Sequence, residues 1–548
     1  MAAGGGLAIN FADIFEFMAD TVPDRPFLVA GDARLTYAET DARAARAARL
    51  LREAGVRPGD HVGIYAVNRA EWVEAMLGCL KLRAVPVNVN YRYVAAELRY
   101  LLGNADLVCV VVERRYLATL ADVLPGVPTV RAVVVLEDGT PADGFAARPP
   151  RLADRVLLGY EDEPADTAPV RVPRSGDDQL VIYTGGTTGM PKGVIWRSED
   201  LFHAAIRRPL PDGSIPERVE DLLTRHAASA PVPSFTLAPL MHGVAQLSVL
   251  STFSSAGTAV LWTGRRFSAP EILRIAAAER AVSLALVGDA MAVPILDTLE
   301  ADPGGYDLSA LAVVASSGAP LSDATRARFR IVLPNVYLYN GYGGSELGHS
   351  GGEAGEPRRF RLSADAAVLD DKLRPVVPGS GQVGRIARSG PIPIGYYKDP
   401  AKTAATFLTD ADGVRWVVPG DLARVEADGT VVLLGRENTV VNTGGEKVFP
   451  EEVENALKDY GEVADAVVVG VPDPRFGERV VALVVARAPH EPDVAALERH
   501  CRGLVAGYKV PREIHVVSAL TRSPAGKLDI RWARETAARL SSSRSLPS

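Results

Sequence analysis

The 548-residue chain is 47% hydrophobic and 23% charged, with a formal net charge of -7. It can therefore bury ample apolar surface, and it lacks the basic excess that nucleic-acid binding usually requires. At this length one core is not expected to suffice, and roughly two to four domains or subdomains are predicted. The three cysteines, Cys79, Cys109 and Cys501, fall in no Cys-x-x-Cys spacing, which argues against a disulfide framework or a zinc site and for a reducing, cytoplasmic setting. The first six residues, Met-Ala-Ala-Gly-Gly-Gly, carry neither the basic region nor the apolar stretch of a signal peptide, and no apolar run is long enough for a transmembrane segment.

From Leu35 to about Val112 helices and strands alternate: an alanine-rich helix at 36–53, a strand at 61–65 and a helix at 70–82. That alternation predicts α/β layers. Proline- and aspartate-rich stretches at 138–154 and 162–178 read as surface excursions that divide this first lobe from a second. The second α/β pattern runs from Gln179 to about Val332, with a helix at 270–281 and strands at 283–287 and 311–315. After Gly435 the pattern restarts on a smaller α+β scale: helix 450–458, strands 465–471 and 479–486, helix 493–505. The expected division is a large multi-lobed α/β domain over 1–435, a boundary at 436–438, a small α+β domain over 439–540, and a serine-rich disordered tail at 541–548. There are no internal repeats.

Directly behind the apolar run Leu180-Val181-Ile182 lies Tyr183-Thr184-Gly185-Gly186-Thr187-Thr188-Gly189-Met190-Pro191-Lys192-Gly193. Glycines let backbone N–H groups approach phosphate oxygens, threonine hydroxyls donate to them or ligate magnesium, and lysine adds a mobile positive charge. This reads as a loop for a nucleotide triphosphate. It is not a Walker A loop, which opens a helix with Gly-Lys-[Ser/Thr]. Here Pro191 precedes the lysine and Gly193 follows it, so the chain is expected to leave the loop extended.

Five further segments follow in order: Ser316-Ser317-Gly318-Ala319-Pro320-Leu321; Asn340-Gly341-Tyr342-Gly343-Gly344-Ser345-Glu346; Trp416-Val417-Val418-Pro419-Gly420-Asp421; Gly435-Arg436-Glu437-Asn438 with Gly444-Gly445-Glu446-Lys447-Val448-Phe449-Pro450; and Ser523-Pro524-Ala525-Gly526-Lys527. Together with the loop they resemble the acyl-adenylate-forming superfamily over nearly the whole chain, in the acyl-CoA synthetase branch. The segment 440–454, Gly288-Asp289-Ala290-Met291 and Tyr183 to Gly186 are most similar to actinobacterial fatty-acid and steroid-side-chain CoA ligases.

The resemblance implies ATP, Mg²⁺ and coenzyme A, with Lys527, Glu346 and His242 as catalytic residues. The nucleotide would contact Thr184, Gly185, Gly186, Thr187, Thr188, Gly189, Lys192, Ser317, Gly318, Ala319, Pro320, Asn340, Gly341, Tyr342, Gly343, Ser345, Asp421 and Arg436. Glu346 and Thr188 would ligate the metal. His242, in Pro239-Leu240-Met241-His242-Gly243, would gate an acyl pocket walled by Gly243, Val287, Gly288, Met291 and Gly341. Asn438 would be the hinge of a mobile C-terminal domain, and Gly444, Gly445, Arg475 and Lys509 would meet CoA, with Arg479 and Arg512 nearby. Three positions depart from the family pattern: Asn438 where aspartate or lysine is usual, Ser345 for threonine, and Asn442 where lysine is common.

Standing alone, each of these residues has a plainer reading: Lys527 as a solvated turn lysine, Glu346 as a surface carboxylate, Asp421 as a helix cap, Tyr342 and His242 as core, and the four basic residues as solvated charge. The expected partners are a small carboxylic acid, ATP and CoA, with a homodimer left open. Two other readings stay open: an acyl-AMP ligase that loads a stand-alone carrier protein, and a non-catalytic acyl or nucleotide sensor.

Overall fold

A computed structural model describes residues 9–140, 152, 154–186, 189–206, 214–222, 230–319, 321–353, 359–443, 446–473, 475–522 and 528–543. The alanine-rich segment forms the helix Tyr37–Glu53, started by a capping box in which Glu39 N donates to the Thr36 hydroxyl at 3.2 Å and Thr36 N to the Glu39 carboxylate at 2.8 Å. Its small residues allow close packing on the helix Ala70–Lys81, where a Cβ placed on Gly78 would lie 3.1 Å from that of Ala47.

Among the described residues, three sheets organise the molecule. The first has eight strands: the parallel strands Val85–Asn88, His61–Tyr65, Leu107–Glu113, Ala132–Leu136 and Val156–Gly159, extended at one edge by the hairpin Gln179–Gly186/Gly189–Arg197 and by Gly395–Tyr396. The second has fifteen strands. Its parallel part runs Pro26–Ala30, Thr258–Leu261, Pro233–Thr236, Ser283–Leu286, Val313–Ser317, Tyr337–Gly344, and an antiparallel part from Gly348–Glu353 to Phe407–Thr409 continues it. The third has five strands, all after Val440.

In the third sheet the period-two rule is visible in one strand, Val463–Asp473. Val467, Val469 and Val471 face the helix Ile530–Ser543, while Ala466 and Val468 face the helices Pro450–Lys458 and Val494–Leu504.

Two expectations need correction. The stretch 162–178 does not divide two lobes: the strand after it, Gln179–Gly186, pairs with Val85–Asn88, so the phosphate loop belongs to the first sheet, whereas 233–317 share the second sheet with Pro26–Ala30. A crossover to another sheet leaves no local mark in sequence. The stretch is also anchored. Arg174, 1% exposed, binds Asp13 at 2.5 Å and Glu16 at 2.8 Å, and Lys81, equally buried, binds Glu16 and Asp41 at 2.6 Å each. Secondly, residues 541–543 complete the helix Ile530–Ser543 instead of starting a disordered tail, while 544–548 lie outside the described residues. All three cysteines are buried and free. No helix among the described residues is long and apolar enough to cross a membrane.

Candidate active site

The phosphate loop is the turn of an antiparallel hairpin, with Thr184 opposite Lys192 and Gly186 opposite Gly189. The chain leaves it extended, as Pro191 requires. A buried asparagine, Asn88, holds this hairpin against the segment before His242, and a second, Asn68, fixes that segment itself. Asn88 donates to the carbonyls of Tyr183 (2.8 Å) and Met241 (2.6 Å) and accepts from Tyr183 N at 2.8 Å. Asn68 donates to Ala238 O at 3.1 Å and accepts from Leu240 N at 2.6 Å.

His242 is the extended N-cap of the helix Gly243–Phe253 and is half-buried. The helix N-terminus touches the hairpin: a Cβ on Gly243 would lie 3.1 Å from Ile182 Cγ2 and 3.6 Å from Ser345 Oγ. Trp196 of the hairpin donates to Ser345 O at 2.8 Å. The positive end of a helix dipole thus adjoins the strand that leads into the glycine-rich segment, and such a helix end favours an anion.

Glu346 accepts a hydrogen bond from the Tyr396 hydroxyl at 2.9 Å, and Lys192 Nζ sits 5.8 Å from the centroid of the same ring. Tyr396 is carried by the short strand that pairs with the hairpin, opposite Val194. Burial and the neighbouring Glu346 charge push its phenol well above the usual range, so it remains a donor. Sequence reasoning missed Tyr396, Asn88 and Asn68. The signal for Tyr396 was faint: a tyrosine pair after Pro391-Ile392-Pro393-Ile394-Gly395, which reads as a turn.

A second cluster joins three of the sequence motifs. Tyr342, 9% exposed, donates its hydroxyl to Asp421 Oδ2 at 2.9 Å, and Arg436 Nε donates to Asp421 Oδ1 at 3.0 Å. Asp421 and Arg436 stand directly opposite each other on adjacent antiparallel strands, Asp421–Val425 and Val431–Arg436. Burial first, and then the Asp421 charge, hold the Tyr342 phenol protonated. Glu451, from the helix Pro450–Lys458, closes this cluster from the other side, its carboxyl carbon 3.6 Å from where a Gly435 side chain would begin.

The strand Val313–Ser317 ends in a tight turn at Gly318, whose φ of +83° favours glycine. Ser316 ties the turn down, donating to Ala319 O at 2.6 Å and accepting from Gly288 N at 2.9 Å. Ser317 and Gly341 are register partners on neighbouring strands. Asn340 is 3% exposed and engaged at both ends: it accepts from Leu321 N at 3.3 Å and donates to Glu353 at 3.2 Å, which in turn pairs with Arg326. Its side chain therefore holds the turn in place and sits behind Gly341. Val287 and Gly288 are buried beside the turn, and Met291 packs between the two large cores.

Thr187, Thr188, Pro320, Gly444, Gly445 and Lys527 lie outside the described residues. The backbone of Asn438 lies in a 3₁₀ turn, Glu437–Thr439, anchored by Glu437 N on Gly420 O at 2.9 Å; its side chain is outside the described set. Of the basic residues expected near CoA, Lys509 is paired with Glu452 at 2.7 Å, and Arg479 with Glu513 at 2.9 Å. Arg475 and Arg512 are exposed and both lie over the ring of Phe476, at 5.1 and 5.6 Å from its centroid.

No group of three or more His, Cys, Asp or Glu able to hold a metal occurs among the described residues. A single half-exposed carboxylate, Glu346, beside an anion site fits Mg²⁺, which binds through one or two carboxylates, water and substrate phosphates.

The AMP-binding enzyme family profile matches residues 15–397, and that of the AMP-binding enzyme C-terminal domain matches 452–527. The chain is 44% identical to the 3-oxocholest-4-en-26-oate–CoA ligase of Rhodococcus rhodochrous, with 96% of each chain covered. It is 43% identical to the medium/long-chain-fatty-acid–CoA/3-oxocholest-4-en-26-oate–CoA ligase of Mycobacterium tuberculosis, again with 96% of each covered. Among solved structures, the anthranilate CoA ligase AuaEII in complex with anthranoyl-AMP shares the fold, with a TM-score of 0.81 at 22% identity over 98% of each chain. The chain belongs to the AMP-binding enzyme family.

Proposed function

We propose that this enzyme is an ATP-dependent ligase that joins a carboxylic acid bearing a bulky apolar group, long-chain or steroidal, to coenzyme A through an acyl-AMP intermediate. The observation that carries the reading is that the helix N-terminus at Gly243 touches the phosphate hairpin, while Glu346, bonded to the hairpin-paired Tyr396, lies within electrostatic reach of Arg436 in the Tyr342–Asp421–Arg436 cluster. The substrate class is suggested by the names of the two relatives above.

A carboxylate resists nucleophilic attack because of its charge, so it must first gain a leaving group. Its oxygen attacks the α-phosphorus of ATP and pyrophosphate departs; the CoA sulfur then attacks the acyl carbonyl, and AMP leaves. Lys192 and the hairpin N–H groups would hold the β- and γ-phosphates, with Thr187 and Thr188 at the turn. Asp421 would accept both ribose hydroxyl protons, with Tyr342 and Arg436 fixing its two oxygens, and adenine would lie between the turn Ser317–Gly318–Ala319–Pro320 and the ring of Tyr342. Glu346, positioned by Tyr396, would hold Mg²⁺, which supplies charge compensation on the phosphates. Lys527 would bridge the carboxylate and α-phosphate. His242 would gate the acyl end.

The hinge would be at 436–438, with the domain 439–540 turning between the half-reactions. In the second of these, Arg475 and Arg512, rather than the paired Lys509, would have charge to offer the CoA phosphates. The reading places the enzyme in the cytoplasm.

The test is CoA-dependent AMP release with fatty, aromatic and steroid acids, the thioester being detected by mass. Thioester from one class, lost in Lys527→Ala by on the order of 10²–10³-fold as when a transition-state charge partner is removed, is the expected result. Acyl-AMP without acylated CoA would overturn it in favour of carrier loading.

A further inference from the structure

We propose that the acyl group lies in a trough on the uncovered face of the parallel sheet, that Tyr339 sets its width, and that the acid taken is broad and flat rather than a thin straight chain. The proposal rests on the ligase reading above and on the acyl group leading away from Gly341.

The two faces of the sheet differ. On one, Leu284, Leu286, Val314 and Leu338 pack beneath the helices Ala269–Ala278, Asp289–Ala301 and Asp323–Val332. On the other, Ala285, Val313, Ala315, Ser317, Tyr339 and Gly341 are all half-exposed. The strand registers align these in rows. Thr236, Ala285, Ala315 and Tyr339 form one row across the four parallel strands, and Ser317 with Gly341 forms the next toward the strands' C-terminal ends. At ~4.8 Å per strand and ~3.3 Å per residue, the first row is about 14 Å across and successive rows are about 7 Å apart. The two central positions of the first row are alanines, so the floor is low over a width of two strands.

One wall is the helix Gly243–Phe253. It buries Ala245, Val249, Leu250 and Phe253 in the main core but leaves Val244, Leu247, Ser248 and Ser251 half-exposed, a single stripe at helical spacing. The hydroxyls of Ser248 and Thr236, 2.5 Å apart, join this stripe to the edge of the row. The opposite wall is Tyr339. Its ring lies over glycines: a Cβ on Gly352 would come 2.5 Å from its hydroxyl, and one on Gly341 would come 3.2 Å from its Cε1. His349 Nε2 stands 3.0 Å from that hydroxyl.

Parallel-sheet proteins bind ligands beyond the C-terminal ends of their strands. Here that end of the trough is Gly341, in the same segment as Ser345, whose hydroxyl lies 3.6 Å from where a Gly243 side chain would begin, and this is where an acyl carboxylate would meet the α-phosphate. A chain one methylene thick would leave most of this floor unfilled. A rigid ring system would cover it.

The test compares kcat/KM for 3-oxocholest-4-en-26-oate and octanoate in the full-length enzyme. Ala315→Leu adds bulk to the floor and should move the ratio toward octanoate by roughly 10–200-fold, the range for small steric changes in an apolar pocket. Tyr339→Ala removes a wall and should move the ratio toward the steroid acid, so an Ala315→Leu protein that fails to fold does not decide the matter. A ratio unchanged in Tyr339→Ala and in any folded Ala315→Leu protein would overturn the trough and leave the ligase reading standing. No thioester from any acid in the unaltered enzyme would overturn the ligase reading, and the trough with it.

Discussion

The nucleotide cleft and the acyl trough adjoin at Gly341, yet they are built on opposite plans. In the cleft, polar groups hold one another: Tyr342 and Arg436 on Asp421, Tyr396 on Glu346, Asn88 on the hairpin and the segment before His242. The trough is a surface of small and apolar side chains, alanine, glycine, valine, leucine and tyrosine with a few serine and threonine hydroxyls, and side-chain hydrogen bonds lie at its borders. Fixed dipoles suit a nucleotide, whose hydrogen-bonding pattern never changes between substrates. Low relief suits an acyl group recognised by shape, where a methylene is worth only about 1–3 kcal/mol of discrimination.

The contrast can be broken at several points. Glu346→Gln removes the carboxylate proposed to hold Mg²⁺ and should lower acyl-AMP formation on the order of 10²–10³-fold, while the preference between broad and thin acids stays where it was. Pyrophosphate exchange with two acids checks this; a large change in acid preference would mean that the two regions are coupled. Asn88→Ala leaves buried backbone groups of Tyr183 and Met241 without their partner, at about 1–3 kcal/mol for each group. Urea unfolding should show a correspondingly lower midpoint, and activity should fall for every acid alike.

Tyr396→Phe takes one hydrogen bond from the Glu346 carboxylate, worth about 1.5–3 kcal/mol. Roughly tenfold slower adenylation with a raised Mg²⁺ requirement is expected. An unchanged Mg²⁺ titration would show that Tyr396 serves only packing.

The smallest effect lies outside both regions. Glu454, 8% exposed in the C-terminal unit, is pushed up to about 7 by burial and accepts a hydrogen bond from Val468 N at 2.9 Å. Its folded state holds the proton that the unfolded chain, near pH 4.5, has released. That contribution is therefore full below about pH 4.5 and is lost as pH rises through about 7, with a slope of at most about 1.4 kcal/mol per pH unit. Glu454→Gln should flatten this slope in denaturant titrations at pH 5, 6 and 8.

The same contrast explains what was legible in the sequence. Each part of the cleft is a contiguous segment, so Thr184 to Lys192 could be read as a phosphate loop from its glycines, threonines and lysine, whereas Tyr342 and Asp421 drew attention only through the resemblance of their segments to a known family. The helix Pro450–Lys458 and the strand His61–Tyr65 were legible for the same reason, as unbroken local periodicity. The trough is a row drawn across Thr236, Ala285, Ala315 and Tyr339, four strands far apart in sequence. Only the register aligns them, and no single alanine is informative. Asn88 and Tyr396 were hidden likewise, as single residues whose partners are distant in the chain. The division into lobes misled because the chain re-enters the first sheet after the proline- and aspartate-rich stretch 162–178, whose composition marks an excursion but not the sheet to which the chain returns.

The burial of Cys79, Cys109 and Cys501 has a consequence for an enzyme whose proposed co-substrate is a thiol. Burial pushes all three sulfhydryls up, Cys501 to about 11 and Cys109 to about 12. Disulfide exchange requires a thiolate within reach of its partner. The protein thus presents no cysteine nucleophile or landing site for oxidised CoA, and a shift in the thiol–disulfide balance should slow turnover only by depleting reduced CoA, with full recovery once the thiol is restored.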